Sequence, residues 1–279
     1  MVELMNKFYT FLIFLFSITF ASTAQTYEQW IGKSADHIER NRLDSAEYSL
    51  KKAIETDPSN PNNTSLLMSL GVIQRESGRY EDAYMTFTAA LTNYPDSKLV
   101  LHNRAALLCD MERYDEAMND YNEILRLDPS DVQAYYRRGI LHLERKQRDL
   151  AEVDFRKAQQ IDPDNMYSLL SKALIYKLDD NWIEAEKMYS RLIDNGENVT
   201  SVFYLNRAEC YVNTDQIFKA SADLKSAEPG ERQNPYFYFL RGRVRLAQYD
   251  KLAAKADFEK AKQLGYDPEI ADEWIKKAK

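Results

Sequence analysis

A fixed interval of 34 residues constrains this chain more than any other feature. Pro95, Pro129 and Pro163 keep it, and so do Ala83, Ala117, Ala151 and Ala185. Between these marks lie two amphipathic helical patterns joined by a short polar turn, clearest in residues 132–165. A unit of that size cannot bury its apolar face alone, so successive copies must stack and cover one another. The expected product is an all-α stack rather than a globular domain around one closed pocket.

Seven repeats fit the frame: residues 27–60, 64–97, 98–131, 132–165, 166–200, 201–234 and 235–268. Their eighth positions read Ser34, Gly71, Ala105, Gly139, Ala173, Ala208 and Gly242. Their twentieth read Ala46, Ala83, Ala117, Ala151, Ala185, Ala220 and Ala254. Small side chains there let the first helix of a repeat (A) cross the second (B) closely. Bulky residues such as Tyr135, Tyr204, Phe87, Tyr121 and Phe155 fill the remaining space, so most of the aromatic content reads as core. Asn41 and Gly78 fall in the A–B turn, where a positive φ is often required. Pro58, Pro95, Pro129 and Pro163 stop the B helices. Residues 269–279 carry Ile270, Trp274 and Ile275 at helical spacing and are expected to cap the open end of the stack.

This pattern of small and aromatic positions with an exit proline resembles the tetratricopeptide repeat. The resemblance implies a right-handed α-solenoid of about seven helix–turn–helix units over residues 25–268, closed by a C-terminal capping helix over 269–279. It also implies a groove lined by A helices. In repeats four to seven the groove positions carry Tyr136, Arg137, Ile140 and Leu143, then Tyr167, Leu170 and Leu174. Leu205 and Asn206 follow in repeat six, and Tyr236, Phe239 and Arg243 in repeat seven. Repeat packing does not demand apolar residues there, and a continuous apolar surface marks a place where something docks. The implied occupant is a segment of a partner protein or peptide. Neighbouring A helices leaning together, the C-terminal helix, or a second copy of the chain are the other ways to cover it. A carboxylate clamp used by some members is not reproduced. Asn103 and Arg137 match it, but Met68, Val72 and Gln133 replace three of its polar residues.

Composition excludes several functions. Lys and Arg total 37 against 44 Asp and Glu, a net charge of −7, so nucleic acid is not an expected partner. The three histidines, His37, His102 and His142, lack metal-ligand spacing, and no phosphate loop or nucleophile motif occurs. No catalytic, cofactor or metal site is expected. The two cysteines, Cys109 and Cys210, lie three repeats apart and should remain separate, packed thiols rather than a disulfide.

The first 24 residues read as a signal peptide. Lys7 precedes an apolar run from Phe8 to Phe20, and Ser22 and Ala24 suit cleavage after Ala24. The run of 13 residues is shorter than the ~20 of a spanning helix. A retained anchor is the alternative, and no cysteine follows for lipid attachment. The expectation is a non-enzymatic scaffold, exported to the periplasm or beyond, without stable membrane insertion after cleavage. The alternative is a subunit of a cell-envelope assembly that recruits a small ligand or polymer such as glycan or cell-wall material.

Overall fold

The computed structural model describes residues 25–196 and 199–278; the leader expected at 1–24 lies outside them. Among the described residues there are fifteen α-helices and no strand. The chain divides into two compact units, one ending at Leu127 and one beginning at Asp128.

The first unit holds α1 (Tyr27–Glu39), α2 (Leu43–Thr56), α3 (Asn63–Glu76), α4 (Tyr80–Asn93), α5 (Lys98–Asp110) and α6 (Tyr114–Leu127). The second holds α7 (Val132–Glu144), α8 (Arg148–Ile161), α9 (Met166–Leu178), α10 (Trp182–Asp194) and α11 (Ser201–Asn213). It continues through α12 (Ile217–Glu231), α13 (Pro235–Ala247), α14 (Lys251–Gln263) and α15 (Pro268–Lys277).

Each A–B turn is built the same way. The fifteenth residue of every repeat is left-handed: Asn41, Gly78, Glu112, Lys146, Asp180, Asp215 and Tyr249, with φ between 54° and 74°. The following amide donates back to the carbonyl five residues earlier, as Arg113 does to Leu108 and Gln147 to His142, both at 2.8 Å. This closure satisfies a carbonyl the helix end would otherwise leave open. Glycine takes that conformation without strain, whereas an L side chain costs about 1 kcal/mol. Tyr249 is 91% exposed, so its ring gives nothing back in packing. Tyr249→Gly should therefore stabilise the protein by about 0.5 kcal/mol, read as a raised melting midpoint; a lowered midpoint would contradict the turn geometry.

Inside a repeat, residue eight of helix A faces residue 24 of helix B, and the two are size-matched. Gly71, Gly139 and Gly242 face Phe87, Phe155 and Phe258; a Cβ on Gly242 would lie 2.6 Å from the Phe258 ring, and those on the other two closer still. Where position eight is Ala105, Ala173 or Ala208, position 24 is Tyr121, Tyr189 or Leu224, and all six are buried. The alanines expected at the A–B contact, including Ala151 and Ala185, are fully buried.

A second regularity ties A to B by charge. Arg104, Arg138, Arg207 and Arg241 each make two hydrogen bonds, of 2.6–3.0 Å, to the carboxylate 16 residues later, on Asp120, Asp154, Asp223 and Asp257. The aspartates are 3–5% exposed. Such bidentate pairs fix the angle between the helices as well as their distance. Repeat five carries Lys172 and Met188 at these two places and has no such pair.

In the first unit Glu47 of α2 joins α3 and the turn that leads into α4. Burial pushes its pKa up, but Arg79, Lys51 and Gln74 outweigh this and bring it down from 4.5 to about 2. A lowered folded-state pKa contributes stability that is complete above pH 4.5 and is lost as the pH falls toward 2. Glu47→Gln should thus cost the first unit on the order of 2 kcal/mol at pH 7, with the gap to wild type closing by pH 2. Melting curves across that range provide the check; a gap independent of pH would rule out the charged anchor.

Candidate functional site

The A helices of the second unit carry the residues expected to dock a partner, and their start points are set by caps. Asp131 accepts from the Ala134 amide at 2.9 Å, opening α7. Asn165 accepts from the Tyr167 amide and Asn234 from that of Tyr236, each at 2.9 Å, opening α9 and α13. These side chains satisfy amides that a helix start leaves unbonded. Tyr167 and Tyr236 are thereby held in the first turn of their helices.

A cavity of about 390 Å³ opens between α7, α9 and α11, with α10 at its base. Seven of the expected residues line it: Tyr136, Arg137 and Ile140 of α7, Tyr167, Leu170 and Leu174 of α9, and Asn206 of α11. Sequence reasoning missed Met166, Tyr189, Thr200 and Phe203, which complete the wall together with Val202, itself at a groove position as the second residue of repeat six. Tyr189 shares its repeat position with the core rings Phe87, Tyr121 and Phe155, and no sequence pattern separates a core ring from one that also floors a cavity.

The walls are aromatic and aliphatic. The Tyr136 and Tyr167 rings lie 5.5 Å apart at 36°, and Tyr136 also contacts Phe155 at 6.2 Å. Burial pushes the Tyr136 phenol above its ordinary pKa and the Tyr189 phenol well above it, so both stay protonated at neutral pH. Cys210, fully buried in the same cluster, is raised to about 12 by burial and is an inert thiol. Cys109 and Cys210 are not joined by a disulfide. Arg137 is the one charged residue lining the cavity. It is exposed, packs its guanidinium 5.8 Å from the Tyr136 ring centre, and makes no ion pair among the described residues. At the far edge Lys177 bonds Glu209 and reaches Asn206 at 3.1 Å, tying α9 to α11.

The other expected residues are placed differently. Leu143 is half-buried and lies off the cavity. Leu205 is 4% exposed, packed in a cluster with Leu240 and Tyr236 of α13; it is a core residue, because α13 covers it. Phe239 is 5% exposed, stacked on Tyr266 at 4.3 Å and edge-on to Trp274 at 5.7 Å. The C-terminal segment therefore fills the face of repeat seven, and Phe239 is not open to a partner. Tyr236 and Arg243 join the same group, Tyr236 beside Tyr266 and Arg243 over Trp274. No group of His, Cys, Asp or Glu suited to a metal is found among the described residues. No described helix is long and apolar enough to cross a membrane.

Family models described as tetratricopeptide repeats match residues 34–98 and 132–165, and one described as a TPR repeat matches 105–146. A tetratricopeptide repeat protein from Parabacteroides merdae is 34% identical, with a TM-score of 0.66 over 90% of this chain and 98% of that one. The chain belongs to the tetratricopeptide repeat family. Its fold is the all-α solenoid of repeats, the architecture of a protein-interaction scaffold. Fold likeness extends to yeast Tom70, at 19% identity and a TM-score of 0.58 over 90% of this chain and 53% of that one. It extends also to the Pseudomonas aeruginosa protein pilF, at 20% identity and 0.55 over 73% and 92%. No curated protein matches the sequence.

Proposed function

We propose that this tetratricopeptide protein is an exported, non-enzymatic scaffold that holds a segment of a partner protein on the A-helix face of repeats four to six. The carrying observation is the cavity itself. Residues that three separate A helices contribute converge on one concave, largely apolar site with a few polar groups at its edge, the usual make-up of a binding pocket. The C-terminal helix occupies the face of repeat seven, so docking is confined to the cavity and its margins. The reading as a glycan- or cell-wall-recruiting subunit draws no support here. Tyr136, Tyr167 and Tyr236 pack against other rings instead of presenting free faces.

Val202 lines the cavity and is 47% exposed, so a photo-crosslinking amino acid at that position samples the site without disturbing the core. In producing cells it should give a discrete adduct that disappears when Leu170→Glu is added. No adduct, or one indifferent to Leu170→Glu, would overturn the docking assignment. Export rests on the leader pattern; N-terminal sequencing of the extracted protein should begin at Gln25, and an intact Met1 terminus would refute cleavage.

A further inference from the structure

The cavity contains a polar group that the fold leaves unused. Tyr189 lines it while being 2% exposed, and its hydroxyl makes no hydrogen bond among the described residues. The phenol of Tyr136, half-buried on the α7 wall, is likewise without a hydrogen-bond partner among the described residues. Solvent reaches the Tyr189 oxygen through the cavity, so a guest that shuts solvent out must itself supply the partner. A purely aliphatic anchor would leave Tyr189 unsatisfied.

Two further features narrow the guest. The walls around Tyr189 are rings (Tyr136, Tyr167 and Phe203), which favour an aromatic body in offset or edge contact. No acid lines the cavity, and Arg137 at its mouth carries an unneutralised charge suited to a carboxylate. A protonated phenol both donates and accepts, and a guest phenol does the same, so the two can pair in either sense.

Resting on the docking assignment above, we propose that the cavity recognises a tyrosine side chain of the partner segment, its hydroxyl bonded to Tyr189 and an adjacent aspartate or glutamate held by Arg137. The recognition unit is therefore an acidic, tyrosine-bearing peptide, and the discriminating atom is a single oxygen on the cavity floor. A site built around a hydroxyl rejects the analogue lacking it, because its own polar group is then stranded.

The test is a selection of random displayed peptides on the full chain, followed by synthetic versions of the enriched peptide carrying Tyr or Phe. Wild-type protein should enrich tyrosine next to an acid and prefer the Tyr peptide about three- to ten-fold. Tyr189→Phe should bind both peptides equally. It should melt no lower than wild type, since no intramolecular hydrogen bond is lost. Arg137→Gln should weaken both peptides and flatten the salt dependence of binding. A Tyr preference that survives Tyr189→Phe, or enriched peptides lacking tyrosine or acid, would overturn the proposal while leaving docking intact provided that binding is lost in Leu170→Glu. Peptides indifferent to Leu170→Glu would overturn both.

Discussion

Phe155→Ala is expected to destabilise the second unit by about 3–5 kcal/mol, the largest single effect in the molecule. The ring is fully buried, sits directly over Gly139, and supports Tyr136 from behind. Its removal leaves a void on the α7–α8 contact that backbone cannot fill, because Ala151 and Ala158 already press against that contact without exposure. The reciprocal change tests the same geometry from the other side. Gly139→Ala adds a Cβ where the ring now lies, and overpacking of this kind costs about 1–3 kcal/mol, offset by up to about 1 kcal/mol of helix propensity. Combining Gly139→Ala with Phe155→Leu reproduces the Ala208–Leu224 pairing of repeat six. The double variant should therefore be more stable than the sum of the single changes predicts. Strict additivity in thermal or denaturant melts would show that the two positions do not share one space.

Leu170→Glu is expected to reduce binding of a selected peptide at least about 30-fold while leaving the far-UV helical signal unchanged. Leu170 lines the cavity and is only partly buried, so a carboxylate there can reach water when the site is empty and must be desolvated when it is filled. Leu205→Glu offers the contrast. With 4% exposure in an apolar cluster, it should lower the melting midpoint steeply and lose binding only as a consequence of unfolding. Calorimetric titration beside circular dichroism separates the two. Unaltered affinity in folded Leu170→Glu would remove the cavity from consideration as the docking site.

These two leucines also show what the sequence could and could not convey. Tyr136, Leu170, Leu205 and Phe239 all occupy the fifth position of their repeats, and by periodicity alone they are equivalent. The first two line a cavity; the last two are sealed, Leu205 by α13 and Phe239 by Tyr266 and Trp274. Which copies of a repeat stay open depends on what the next helix brings, and a one-repeat pattern does not encode its neighbour. The helical class and the small-residue contacts were legible because steric exclusion acts within a repeat. The left-handed turn was legible at Asn41 and Gly78, whose residue types advertise it, but not at Glu112, Lys146 or Tyr249, where closure overrides preference. The Arg–Asp pairs were within reach: an arginine and an aspartate 16 residues apart recur in four repeats, yet charge on an amphipathic helix reads first as a solvated face.

Those pairs have a mechanical consequence. Apolar contact is non-directional and tolerates sliding, whereas a forked guanidinium–carboxylate clasp must break before its two helices can rotate against each other. Repeat five is the unclasped segment of the second unit, and its α9 and α10 furnish one wall and the floor of the cavity. Widening the mouth for a thicker guest by rolling α9 over α10 therefore ruptures no ionic lock within that repeat. The receptacle is borne on the unclasped part of the unit, between riveted flanks, with the Lys177–Glu209 tie between α9 and α11 as the ionic restraint left on that roll.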